Sequence, residues 1–240
     1  IGGNPTGPAG SVFSWAPATS LSSTLNSNPT ATPSSGITYT VTVTDTNSCM
    51  NTDDVIIIVN ANPVADAGPG GTICVGDSLP LTGGGGGSYL WIPADSLTDP
   101  NISNPISFPA DTATFYLIVT DGNNCKDTDS VTVNVNQLPL ADAGPDLWVC
   151  PNDSIQIIAG GGVIYNWTPA DSLSNGNIFN PIAFPADTTE YFVTVTDANG
   201  CVKIDSMVLD VGPVVPTDAG SDKTICIYDS VQIGGNPTSP

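Results

Sequence analysis

The chain has 240 residues, in which 25 Gly and 22 Pro accompany abundant Thr, Ser, Val, Asn and Asp. That composition describes short strands joined by turns, and 40% apolar residues suffice for packed cores, so the Gly and Pro content is not that of disorder. With 23 acidic residues, three Lys, no Arg and no His, the net charge of -20 excludes attraction to nucleic acid or to an anionic membrane surface.

Residues 1–63 read as the later part of a unit whose earlier part is missing. TYTVTVTD at 38–45 alternates with period two, placing Tyr39, Val41 and Val43 on a core face and threonines in water. The turn DTNS leads to a second strand through Val55, Ile57 and Val59, making a hairpin. Residues 64–140 hold a complete unit, entered through the proline-bearing linker NANPVAD. ADAGPGGTIC is followed by a strand through Leu79 and Leu81, then by Trp91 within SYLWIP. A hairpin through Phe115, Leu117 and Val119, the turn DGNN, and Val131, Val133 and Val135 closes it. Residues 141–216 repeat that unit: ADAGPDLWVC, Ile155 and Ile157, Trp167 in IYNWTP, then Tyr191, Val193, Val195, DANG, Met207, Leu209 and Val211. Residues 217–240 match only a beginning, with a strand expected through Val231 and Ile233.

The period is 76 residues: Trp15, Trp91 and Trp167 share it, as do Cys49, Cys125 and Cys201, and Cys74, Cys150 and Cys226. The expected fold is therefore all-β, tandem immunoglobulin-like sandwiches in an elongated array, with each Trp covering a core. IGGNPT at 1–6 recurs at 233–238, which suggests a three-domain period in a longer parent chain. Either the chain is trimmed from that parent or neighbouring copies supply the missing strands. No run of 18 apolar residues is present to insert in a membrane, and residues 1–30 lack the basic start and apolar stretch of a signal peptide.

Several short patterns invite chemistry. Gly76-Asp77-Ser78-Leu79 spells a hydrolase signature, but no His can serve as base, and NDSI and YDSV recur at the same place, so a turn is expected and no catalytic residue is assigned. The glycine run at 83–87 lacks the Lys of a phosphate loop. Calcium is the candidate cofactor, with oxygen ligands where Asp121, Asp127 and Asp129, or Asp197 and Asp205, crowd the hairpin, or near Asp66 and Asp142. Six Cys without close pairs or His favour disulfides over zinc. The spacing favours Cys74 with Cys125 and Cys150 with Cys201, each closing a loop worth about 4 kcal/mol. The rival pairing joins Cys125 to Cys150. Cys49 and Cys226 would then bond to neighbouring segments.

ADAGPD, Cys followed by GDS or NDS, W-x-PADSL, NPI, Y-x-V-T-V-T-D and NGC together resemble the immunoglobulin-like and polycystic-kidney-disease-like repeats of large secreted surface proteins of the Bacteroidetes group. The resemblance covers essentially the whole chain. It implies an extracellular, cell-surface location and a structural repeat region: a stiff, disulfide-braced, filament-forming rod. Its partners would be neighbouring copies or flanking repeats. The alternatives are an adhesin module binding glycans or another cell, and accessory repeats of a large secreted enzyme. Asp-Ser and Asp-Thr at Ser78, Ser96, Thr112, Ser130, Ser154, Ser172, Thr188, Ser206 and Ser230 resemble that group's O-glycosylation motif. The same pairs also serve as turn caps.

Overall fold

The computed structural model describes residues 1–3 and 6–234. Asn4, Pro5 and residues 235–240, which hold part of each IGGNPT copy and the close of the expected 217–240 segment, lie outside the described residues. Among the described residues the period-two segments form fifteen strands and no helix.

The chain divides into two compact units, Ile1–Val135 and Asn136–Pro240. The first opens with β1 (Val12–Ala16), β2 (Ile37–Thr44) and β3 (Met50–Ile57) in one antiparallel sheet, β1-β2-β3. There follow β4 (Gly71–Cys74), β5 (Leu79–Pro80), β6 (Ser88–Ile92), β7 (Ile106–Ser107), β8 (Ala113–Thr120) and β9 (Lys126–Asn136). These make a four-stranded sheet, β4-β9-β8-β6, and a two-stranded one, β5-β7. The second unit repeats the plan with β10 (Leu147–Val149), β11 (Ile155–Gln156), β12 (Ile164–Thr168), β13 (Ile182–Ala183), β14 (Thr189–Thr196) and β15 (Val202–Val211), in sheets β10-β15-β14-β12 and β11-β13. Residues 96–98 add a third short ladder beside β7, through Thr98 N to Ile106 O (3.0 Å) and Phe108 N to Ser96 O (2.9 Å). Two sheets enclosing one core around a buried Trp make each complete repeat an immunoglobulin-like sandwich.

Alternation sets each core. Phe115, Leu117, Val119 and Val133 are wholly buried in one, and Tyr191, Val193, Val195 and Leu209 in the other, while residues between them, Tyr116 and Phe192 among them, face outward. Thr114 and Thr132 meet on that outer face, Oγ1 to Oγ1, at 3.0 Å. Trp91 and Trp167 are buried, and each indole N–H donates to the carbonyl eleven residues on, Ile102 and Ile178, both at 3.1 Å; Trp15 does the same to Asn26 at 2.9 Å. The bond removes the cost of burying an unpaired N–H, so the largest side chain can sit at the centre.

The expected strand through Val231 and Ile233 does not form: residues 217–234 have no strand and are exposed. Strands need hydrogen-bonding neighbours, and among the described residues none pairs with this segment. Val59 likewise lies beyond the end of β3.

Position 115 differs among the repeats in a testable way. Tyr39 OH donates to Thr19 O at 2.7 Å and Tyr191 OH bonds Ser172 Oγ, whereas Phe115 fills the same place without a hydroxyl, and Ser96 stands where Ser172 does. Burial pushes the Tyr191 phenol above its ordinary value, the Ser172 bond acting against it. Phe115→Tyr should gain the missing bond and stabilise the middle repeat by about 1 kcal/mol. In calorimetry its transition should move upward; a fall would show that the hydroxyl finds no partner there.

Candidate functional site

The hydrolase-like tetrapeptide is a turn. Asp77 N–H donates to Cys74 O at 3.0 Å, and the same bond recurs from Asp153 to Cys150 and from Asp229 to Cys226, both at 3.1 Å. The residue before each Asp has positive φ: Gly76 (93°), Asn152 (65°) and Tyr228 (72°). Type II turns require that sign at their third position, so Gly in the first copy meets a conformational demand and not a catalytic one.

The aspartates expected to crowd a calcium ion accept backbone amides. Asp121 Oδ1 accepts Asn123 N–H and Cys125 N–H, both at 2.9 Å, and Asp197 and Asp45 do the same in their own turns. Ser48, Asn124 and Gly200, one residue before each Cys, take positive φ and close the five-residue loop. Asp127 Oδ2 accepts Ala65 N–H (2.9 Å), Asp129 Oδ2 accepts Ala67 N–H (2.8 Å), and Asp205 Oδ2 accepts Ala143 N–H (2.8 Å). Asp66 and Asp142 cap Gly68 N–H and Gly144 N–H at 2.9 Å. Among the described residues no three His, Cys, Asp or Glu side chains gather as metal ligands.

These bonds explain the repeated ADAG. Ala67 and Ala143 are completely buried, and each backbone is moored by its amide to a carboxylate on the last strand. Gly68 and Gly144 then turn the chain with φ of 69° and 79°. At Gly68 a Cβ would fall 2.1 Å from Thr82 Oγ1, so the position has no room for a side chain.

The cysteines depart from expectation. Cys125 and Cys150 are free thiols, whereas Cys74 and Cys201 are each disulfide-bonded, so neither Cys74 with Cys125 nor Cys150 with Cys201 forms, nor does Cys125 with Cys150. Strand direction supplies the reason. β10 runs parallel to β15 with Val149 opposite Val211, so Cys150 lies at the far end of β15, while Cys201 immediately precedes its first residue, Val202. About 3.3 Å per residue along that strand puts roughly 30 Å between them, far beyond the Cα separation of about 6 Å that a disulfide spans. Cys49 and Cys226 are exposed free thiols.

Of the hydroxyls resembling glycosylation sites, Ser78, Thr112, Ser130, Ser154, Thr188, Ser206 and Ser230 are exposed, and Ser96 and Ser172 are half-buried. Three have structural duties: Thr112 and Thr188 Oγ1 accept Val135 and Val211 N–H, and Ser172 holds Tyr191.

The first repeat has an open core. A cavity of about 840 Å³ is lined by Trp15, Val41, Val43, Asp53 and Val55 among others. Val43, Val55 and Ile57 are only partly buried there, although their counterparts in the complete repeats are enclosed.

No protein-family model and no curated protein sequence matches the chain. Solved structures similar to it include a three-domain immunoglobulin fragment of titin (12% identity, 87% of this chain and 90% of that one, TM-score 0.41). Others are extracellular domains 3–5 of Drosophila OTK (11%, 85% and 86%, TM-score 0.34) and the insect immune protein hemolin (11%, 84% and 68%, TM-score 0.37). The immunoglobulin-like assignment rests on the chain's own strand order.

Two measurements test the carboxylate roles. The Ala67 amide, and after it that of Ser130, holds the Asp129 carboxyl below its ordinary value of 3.8. A carboxyl lowered by folding contributes stability that is present above its unfolded pKa and lost as pH falls through the folded one. Asp129→Asn should therefore flatten the loss of stability below about pH 3.8 in acid titration; an unaltered acid limb would deny the mooring its role. Because these carboxylates are committed to amides, adding EDTA should leave the melting temperature within about 1 °C of its value in calcium, since a ligand binding only the folded state would raise it.

Proposed function

We propose that the chain is the repeat region of a secreted cell-surface or filament-forming protein, a stiff, disulfide-braced series of immunoglobulin-like domains with a mechanical and not a catalytic task. One observation carries this reading: the features recurring every 76 residues are those that build the sandwich. They are the indole-to-carbonyl bond, the left-handed turn residue before each Asp-Ser, and the aspartate that caps the hairpin. The Asp side chains that recur with them accept backbone amides. On this reading each core marks one domain, with boundaries near residues 64, 141 and 217. The proline-bearing linkers favour stiffness. The acidic charge, the oxidised cysteines and the likeness to Bacteroidetes surface repeats favour an extracellular place.

A second reading, adhesion, has one observation in its favour. Ile106 and Phe108 are exposed on β7 and just beyond it, and Ile182 and Phe184 are exposed at the same places on β13, so an apolar pair faces water in both complete repeats.

An antibody against this chain should label intact producer cells and lose its target to externally added protease; labelling only after permeabilisation would overturn the extracellular reading. In glycan and cell-binding assays the purified chain should bind nothing. Binding abolished by Phe108→Ser with Phe184→Ser would replace the mechanical reading with the adhesive one.

A further inference from the structure

Asn-Gly occurs twice in the chain, at 175–176 and at 199–200. The dipeptide is open to an intramolecular reaction, because a glycine nitrogen can approach the preceding side-chain amide with no Cβ in its way. The structure separates the two copies.

Asn175 is exposed, and its Oδ1 accepts the Asn177 N–H at 2.9 Å. That bond closes a ring containing both Asn175 Cγ and the Gly176 nitrogen, which keeps the two near one another. It also puts a donor on the oxygen that becomes negative when Cγ is attacked. Asn177 is held in turn, its Oδ1 accepting from Asn166 Nδ2 at 3.1 Å. Gly176 O accepts Trp167 N–H at 2.7 Å, while among the described residues the Gly176 N–H donates to no backbone carbonyl. At the other copy the Gly200 N–H donates to Asp197 O at 3.2 Å, and the Asn199 N–H donates to Asp197 Oδ1 at 2.8 Å. Asn199 Nδ2 lies 3.5 Å from Asp197 Oδ2. There the nitrogen keeps its proton on a carbonyl, and charge arising on Asn199 Oδ1 meets a carboxylate.

The middle repeat carries Asp99-Pro100-Asn101 where the third has Asn175-Gly176-Asn177. Asp99 Oδ1 accepts Asn101 N–H at 2.9 Å, and Pro100 O accepts Trp91 N–H at 2.8 Å, so the turn is the same. It is built there with a carboxylate from the outset and with a residue that has no N–H to give up.

We infer that Asn175 is a site of self-modification, converting to aspartate and iso-aspartate through a cyclic imide. Solvent hydroxide takes the Gly176 amide proton, and the nitrogen attacks Asn175 Cγ. The Cγ–Nδ2 bond breaks, and Nδ2, protonated by water, leaves as ammonia. Water then opens the imide. Addition at Cγ gives aspartate, and addition at the main-chain carbonyl gives iso-aspartate, whose main chain runs through Cγ with an extra methylene. The change falls in the segment whose Gly176 and Ile178 carbonyls hold Trp167.

Peptide mapping by mass spectrometry of the full chain, kept in mildly alkaline buffer either folded or in urea, tests this. In the folded chain the peptide bearing Asn175 should exchange NH for O at least about tenfold faster than that bearing Asn199, and the preference should vanish in urea. Both aspartate and iso-aspartate should form at 175. Gly176→Pro, which copies the turn of the middle repeat, should abolish conversion at 175 and leave that at 199 unchanged. Equal rates at the two positions in the folded chain overturn the inference. A preference that survives in urea does so too, since neighbouring sequence and not the fold would then account for it. Aspartate as the sole product, or conversion persisting in Gly176→Pro, overturns the imide route.

Discussion

Closure of the core by a first strand lying beside the last is the constraint on which each sandwich depends. Where the closing segment is present, Val131 and Val133, Met207 and Leu209 are buried. In the first repeat Val55 and Ile57, at the same places, are partly buried and the last strand ends at Ile57. A Val or Ile side chain left in water instead of a core forgoes about 1.5–3 kcal/mol, so two or three such positions are comparable to the whole stability of a small domain. In the first repeat the Trp15 indole is bonded to Asn26 O, and Ile1 packs against the core it shares with Tyr39 and Val41.

The aspartates serve this closure in a way that composition does not suggest. An acidic chain with three lysines can pair few carboxylates with cations, and here carboxylates accept backbone N–H groups instead. Amides are available wherever the backbone turns or a strand edge is exposed, and a charged acceptor makes a stronger bond than a neutral one. The result is that much of the negative charge satisfies backbone amides at turns and segment junctions. The sequence shows carboxylates near one another; their bonds to amides were not visible in it.

Much of the fold was legible because the period-two alternation and the 76-residue spacing speak directly to strand faces and repeat boundaries. Tyr39, Phe115 and Tyr191 were placed in the core on that basis and are fully buried. The cysteines were not legible, because loop length says nothing about strand direction: only the parallel course of β10 along β15 shows that Cys150 and Cys201 stand at opposite ends of one sandwich. The strand expected through Val231 and Ile233 failed for a related reason. Alternation specifies which face a strand would bury, but a strand exists only where a neighbour accepts its hydrogen bonds. The cis peptides before Pro17, Pro93 and Pro169 and the moorings of Ala67 and Ala143 left no signal beyond the recurrence of their motifs.

Recurrence also separates what the fold requires from what it tolerates. The buried alanines, the turn residues with positive φ and the tryptophans recur because a sandwich of this size fails without them. Ile106 with Phe108 and Ile182 with Phe184 recur too, yet they face solvent. In the first repeat Thr30 and Thr32 occupy those two places, and the ladder through Ser22 N to Thr30 O and Thr32 N to Ser20 O, both 2.9 Å, forms equally well. The backbone pairing is therefore indifferent to the side chains at these positions. An exposed aliphatic and aromatic pair contributes little to the core beneath it, so the fold itself does not require these two side chains.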